Sequence, residues 1–334
     1  MDNKNISILI PTISRPILLL DQLHFYRSLK ADFKIIICDS TPKPSISFLN
    51  QIKIFSDSLN IAYFHEPGFN DREAIWFLIS ACDTKYSAFL GDDDFFIPEG
   101  LNGAMCFLEK NNDYRIAYGN SIVIEHSSLK GKFSRIIASE YWGKICFKQQ
   151  TMLERISSIK KNKFSSVFGL HRTHEFLDDY RKCRDIPSRN LAESFGNFVT
   201  IARGKANYLP IPYLIRRQHK DRTYTPLHIV DSLIDDRVGE SIPLLKNLFT
   251  EIVLESGKRN REAKEVSNQI IESILISIYN KSLKIKNNGF DLLIVRLVDS
   301  FIKRIFYGIK NFLFRKSKYF GLFRDYLVII KNLY

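Results

Sequence analysis

Lys85-Tyr86-Ser87-Ala88-Phe89-Leu90-Gly91-Asp92-Asp93-Asp94-Phe95-Phe96-Ile97-Pro98-Glu99-Gly100-Leu101 is the stretch on which the reading of the chain turns. Its apolar start predicts a buried strand. Three carboxylates then follow one another at the strand's C-terminal end, where they repel. A divalent cation relieves that repulsion, and Mg²⁺ or Mn²⁺ takes oxygen ligands, commonly one or two carboxylates plus substrate phosphates. The alternative is a solvated acidic turn.

The preceding chain alternates strands and helices. Asn5 to Thr12, Phe33 to Cys38 and Ile61 to His65 predict strands; Pro16 to Leu29, Ser45 to Leu59 and Asp71 to Cys82 predict helices. Strands apolar on both faces and separated by helices imply an α/β fold, a mostly parallel sheet covered on both sides. Ligands of such sheets bind beyond the C-terminal strand ends, where Thr12, Asp39 and Asp92 to Asp94 fall.

The Asp-rich stretch, with its proline at a fixed offset, resembles the metal-binding motif of family-2-type glycosyltransferases of the GT-A fold. Ile8-Leu9-Ile10-Pro11-Thr12 resembles their opening strand, and Ile37-Cys38-Asp39-Ser40-Thr41 their second. The resemblance implies a GT-A-like nucleotide-binding sheet, with Pro11, Thr12, Asp39, Arg72 and Asp92 toward the donor nucleotide. It implies that Asp92, Asp93 or Asp94 holds Mg²⁺ or Mn²⁺, with Gly91 standing where an aspartate is usual. Asp39 also reads as a turn residue before Pro42, and Arg72 as a surface arginine.

A second stretch, Leu191 to Gly204 followed by Tyr213-Leu214-Ile215-Arg216-Arg217-Gln218-His219, resembles the family's acidic helix start, glycine, aromatic strand and Arg-x-His. Counting back from Gly204 implies Glu193 as general base, with Ala192 in place of the first acid. The plainer reading is a helix-start charge. Arg217 is expected at the donor diphosphate and His219 at the metal, unless they belong to a basic loop. Trp142 reads as a sugar-stacking acceptor residue or as an ordinary core or rim tryptophan. Further expected elements are strands at Arg115 to Ile124 and Ser165 to Leu170, and helices at Leu101 to Asn111 and Thr173 to Tyr180.

The chain has 334 residues and a net charge of +13. Lys281 to Tyr334 holds twelve Lys or Arg against three Asp, so the excess is concentrated at the end. Leu227 to Leu254 and Glu262 to Ser282 predict helices. Beyond them Phe290, Ile294, Leu297, Val298, Phe301, Ile305, Ile309 and Phe312 share one helical face, opposite Arg296, Lys303 and Lys310. That basic amphipathic pattern suits an anionic membrane surface; a helix packed on the preceding domain needs the same stripe. The expected division is a GT-A-like domain over 1–225 and a helical basic tail over 226–334. Five scattered cysteines form no CxxC, which fits reduced thiols. No leader pattern opens the chain and no window reaches the roughly 18 apolar residues of a spanning helix. The expected location is therefore cytoplasmic, peripheral on the inner face of the cell membrane. No recognition-helix or RNA-module signature is present, which argues against a nucleic acid partner.

The expected activity is sugar transfer from a nucleotide-activated donor to a glycan or lipid-linked acceptor, in cell-surface polysaccharide synthesis. A nucleotidyltransferase is the first alternative, although Ile13-Ser14-Arg15-Pro16 lacks the glycine of a phosphate loop. A non-catalytic glycan-binding protein of the same fold is the second.

Overall fold

The computed structural model describes residues 3–126, 133–138, 144–159, 165–218, 237–286, 325–326 and 328–330. Strands β1 (Ile6–Thr12), β2 (Lys34–Asp39), β3 (Ile61–His65) and β4 (Tyr86–Phe89) alternate with helices α1 (Pro16–Ser28), α2 (Ile46–Ser56) and α3 (Asp71–Ser80). The chain continues through β5 (Phe95–Phe96), α4 (Pro98–Lys110), β6 (Tyr114–His126), β7 (Phe133–Ala138), α5 (Met152–Ile159) and β8 (Leu170–Arg172). It ends with α6 (Thr173–Tyr180), α7 (Arg189–Arg203), β9 (Lys205–Gln218), α8 (Arg237–Leu254) and α9 (Asn260–Lys286). Local chemistry starts several helices. Ser45 caps α2 by accepting from the Phe48 N–H, and Asn70 and Glu73 form a reciprocal capping box on α3.

The described strands form one sheet in the order β3-β2-β1-β4-β8-β6-β9-β5, with β7 paired to β6. Its first four strands are parallel, as the alternation implies. Its second half is mixed: β8 runs antiparallel to both β4 and β6, β5 antiparallel to β9, and β6 parallel to β9. Register sets the site, because Thr12 lies opposite Asp39, and Leu9 opposite Phe89. The ends of β1, β2 and β4 therefore share one edge.

Successive strand residues point to opposite faces, and two cores result. Ile8, Ile10, Ile35 and Ile37 pack with α1, α2 and α4; Leu9, Ile36 and Cys38 pack with α3, α6 and α7. Helices α8 and α9 join the second core through Leu245, Phe249, Ile252, Ala263 and Ile270, and Phe249 meets Phe195 and Phe198 of α7. Near the chain end, Ile330 is buried in the first core, and the Tyr326 hydroxyl donates to Glu99 of α4 at 2.6 Å. Phe290 to Phe312 lies outside the described residues. Among the described residues no helix is long and apolar enough to cross a membrane.

Residues 165–169 depart from the expected strand. The Gly169 N–H bonds back to the Ser166 carbonyl, and the Asn197 side chain of α7 accepts from Ser166 N and Oγ at 2.6 and 2.8 Å. A side chain thus satisfies the backbone where a strand neighbour would have, and only Leu170–Arg172 pairs as β8.

Candidate active site

The carboxylate loop follows β4. The Leu90 N–H still bonds to Leu9 of β1, after which Gly91 to Asp94 turn, with the Asp94 N–H on the Gly91 carbonyl. Buried Gln22 of α1 braces the turn by donating to the carbonyls of Gly91 and Asp94 at 2.9 and 2.5 Å. A Cβ at position 91 would stand 2.7 Å from Asp93 Oδ1, so a side chain there would displace the Asp93 carboxylate.

The three carboxylates have different surroundings. Asp92 accepts from Thr12 Oγ1 at 2.8 Å and pairs with Arg15 at 2.9 Å. Burial pushes its carboxyl up to about 7, against the pull of Arg15. Asp94 is fully buried; it accepts from the Arg217 backbone N–H and from Arg216 Nε, both at 2.9 Å. Asp93 meets the other arm of Arg15 at 3.3 Å and is 14% exposed, the most open of the three.

Chemistry of the donor set bears on Mg²⁺ or Mn²⁺. Among the described residues no three Asp, Glu, His or Cys side chains converge as a cage. One accessible carboxylate beside donor phosphates does fit, since Mg²⁺ is commonly held by one or two carboxylates plus phosphate oxygens. Asp93 is the residue that meets this condition.

Arg217 is 1% exposed. Its guanidinium lies beneath the loop, bonding to Asp21 at 3.0 Å, to the carbonyls of Leu18, Asp92 and Asp93, and standing 4.6 Å over the Phe95 ring. It braces the loop from inside. Asp39 is buried at the end of β2; Oδ1 accepts the Thr41 N–H at 2.8 Å and Oδ2 the Tyr63 hydroxyl at 2.7 Å. Pro11 lies opposite Cys38 on the same edge. Arg72, in the first turn of α3, donates to the carbonyls of Ile186 and Pro187 at 3.0 and 2.6 Å. It ties α3 to the segment that enters α7.

Glu193 is exposed on α7, one turn before Asn197 and on the same face. Asn197 holds Ser166, and Phe168 of that turn lies under the Arg216 guanidinium at 4.7 Å. Arg216 in turn bonds Asp94, so a short chain of contacts links the Glu193 face of α7 to the carboxylate loop. His219 and Trp142 lie outside the described residues.

Sequence reasoning missed Arg15, Gln22 and Arg216 as parts of this loop. Arg15 could have been found, since a cation directly after β1 faces the next strand's end. Gln22 carried no signal, because a buried glutamine in a leucine-rich helix is legible only once its carbonyl partners are placed.

A topology of four parallel strands with a mixed extension, carrying an Asp-rich loop at the strand ends, decides the fold. It is a GT-A-like glycosyltransferase fold. The GT-A-like chain is similar to the crystal structure of S. aureus TarS 1-349, at a TM-score of 0.50 and 14% identity, over 88% of this chain and 75% of that one. TarS 1-349 in complex with UDP-GlcNAc matches at a TM-score of 0.48 and 14% identity, over 99% and 82%. No protein-family profile matches the sequence, and no curated protein matches it.

Proposed function

We propose that the chain is a metal-dependent, inverting glycosyltransferase that moves a sugar from a nucleoside-diphosphate donor to a glycan or lipid-linked acceptor. The observation that carries this reading is the carboxylate loop, with one open carboxylate, beside Thr12 and Asp39 on the ligand-binding edge of a GT-A-like sheet. S. aureus TarS has been solved with UDP and with UDP-GlcNAc, which makes uridine donors the first to test.

In this reading Asp39 and Thr12 meet the nucleoside. Arg72 faces the nucleotide from the first turn of α3, which its bonds to Ile186 and Pro187 hold against the segment entering α7. Asp93 is the metal ligand, Asp92 holds Arg15 toward the diphosphate, and Asp94 and Arg217 set the shape of the loop. A bound Mg²⁺ or Mn²⁺ would neutralise charge on the leaving diphosphate. Glu193 takes the proton of the acceptor hydroxyl as it attacks the face opposite the leaving group. The exposure of Glu193 suits a base that must meet an acceptor arriving from solvent or from a surface.

A second reading, a non-catalytic glycan-binding protein, draws on Arg15, which already bridges Asp92 and Asp93. One experiment separates the two: a panel of nucleotide sugars with Mn²⁺, scored for release of nucleoside diphosphate. Consumption of one donor, lowered by Asp93→Asn, is the expected result. No turnover of any donor, alongside glycan binding, would replace the first reading with the second.

A further inference from the structure

Arg15, Arg216 and Arg217 all reach the carboxylate loop, and they are not held alike. Arg217 is buried beneath it. Arg216 is 14% exposed, bonds the buried Asp94 at 2.9 Å and lies over the Phe168 ring. Arg15 is 21% exposed, the most open of the three. One of its arms holds the buried Asp92 at 2.9 Å. The other reaches Asp93, the open carboxylate, at 3.3 Å, a longer contact than the 2.9 Å of Arg216 to Asp94 or the 3.0 Å of Arg217 to Asp21.

The surroundings of that arm are fixed. Gln22 holds the carbonyls of Gly91 and Asp94, and the Arg217 guanidinium holds those of Asp92 and Asp93. The backbone ahead of Arg15 is held as well. Ser14 takes a left-handed φ of 55°, which a non-glycine residue adopts at a cost, and its N–H bonds Thr41 Oγ1 at 2.7 Å. With loop and backbone braced, the Arg15 side chain is the part that can exchange partners. A guanidinium and a divalent cation at the Asp93 carboxylate oppose one another as like charges on one group. A diphosphate shifts that balance, because a guanidinium pairs in bidentate fashion with phosphate oxygens.

We propose that Arg15 is the exchangeable counter-ion of the carboxylate loop. With no nucleotide bound it covers Asp93 and holds a free divalent cation off; a diphosphate draws it away and opens Asp93 to the metal. Metal and nucleoside diphosphate then bind as a coupled pair, each tightening the other by the same factor. Couplings of this kind are typically about 5–150-fold. The proposal rests on the nucleotide-sugar site proposed above, and its test separates the two claims.

The test is binding of Mn²⁺ alone to the full chain, read from the loss of the free-ion electron paramagnetic resonance signal and repeated at saturating UDP. Arg15→Gln should bind Mn²⁺ alone at least about fivefold tighter than wild type. UDP should then tighten Mn²⁺ binding by a smaller factor than it does in wild type. Arg15→Lys keeps a charge but loses the fork that spans two carboxylates, so its affinity for Mn²⁺ alone should lie between the two. Adding Asp93→Asn to Arg15→Gln should abolish the gain, which locates it at that carboxylate. A merely loosened loop would lose affinity for the ion, not gain it. If wild type binds UDP with Mn²⁺ while Arg15→Gln and Arg15→Lys bind Mn²⁺ alone no tighter than wild type, the donor site stands and the role of Arg15 is overturned. If neither wild type nor the variants bind Mn²⁺ or UDP, both claims are overturned together.

Discussion

Asp92, Asp93 and Asp94 are adjacent in sequence, but their neighbours give each a different task. Asp93 is the open one, so Asp93→Asn should abolish the Mn²⁺-dependent part of nucleoside-diphosphate affinity and leave the melting temperature near wild type. Asp94 bonds the backbone of Arg217 and the side chain of Arg216 while fully buried. Asp94→Asn should therefore cost about 1–3 kcal/mol of stability, measured by denaturant unfolding, because a buried charged partner loses its match. Glu193→Gln should lower turnover by about 10²–10⁴-fold at unchanged donor affinity. Near-normal turnover would leave Glu193 as a helix charge worth under about 1 kcal/mol. The sequence marked the triplet as a metal site without ranking its members. Ranking needed Arg15 and Arg216, which approach from residues far away along the chain.

At the scale of elements, the segment 165–172 joins the two halves of the sheet. Its apolar composition reads as a strand, yet the Asn197 side chain pulls Ser166 into a turn, and only the last three residues pair. Periodicity cannot register a side chain that arrives from a helix far along the chain. Asn197→Ala should loosen that turn, and with it Phe168 beneath Arg216. The expected outcome is a lower kcat at nearly unchanged donor KM. His171, next in the same segment, is buried, stacks on Phe176 and bonds the Ser166 carbonyl. Burial drives its imidazole down to about 3. The unfolded chain binds that proton near 6.5, so the contribution of His171 to stability is present above pH 6.5 and lost as pH falls toward 3. His171→Gln should be less stable at neutral pH and show a shallower loss on acidification below pH 6.5, read by urea midpoints at each pH.

At the scale of the whole molecule, the alternation of apolar strands and helices ahead of the carboxylate loop made the parallel half legible. The mixed half was less so, because β8 is short and its neighbours come from distant parts of the chain. The pattern after residue 226 separates helices from the sheet domain, yet Leu245, Phe249 and Ile270 share the core of α7. Helical periodicity states that a stripe will be covered and is silent on what covers it. The chain end also returns to the sheet domain: Ile330 is buried in the first core and Tyr326 bonds Glu99 of α4, the helix that follows the carboxylate loop. Deleting residues 325–334 should therefore lower stability by about 2 kcal/mol or more through lost apolar burial, seen as a lower urea midpoint. The central claim, that the Asp-rich loop is the metal-assisted diphosphate end of a nucleotide-sugar site, is tested most directly by calorimetric titration of UDP into the full chain. Wild type should bind with Mn²⁺ and lose most of that affinity with chelator or with Asp93→Asn. Binding indifferent to Mn²⁺ and to Asp93→Asn would contradict it.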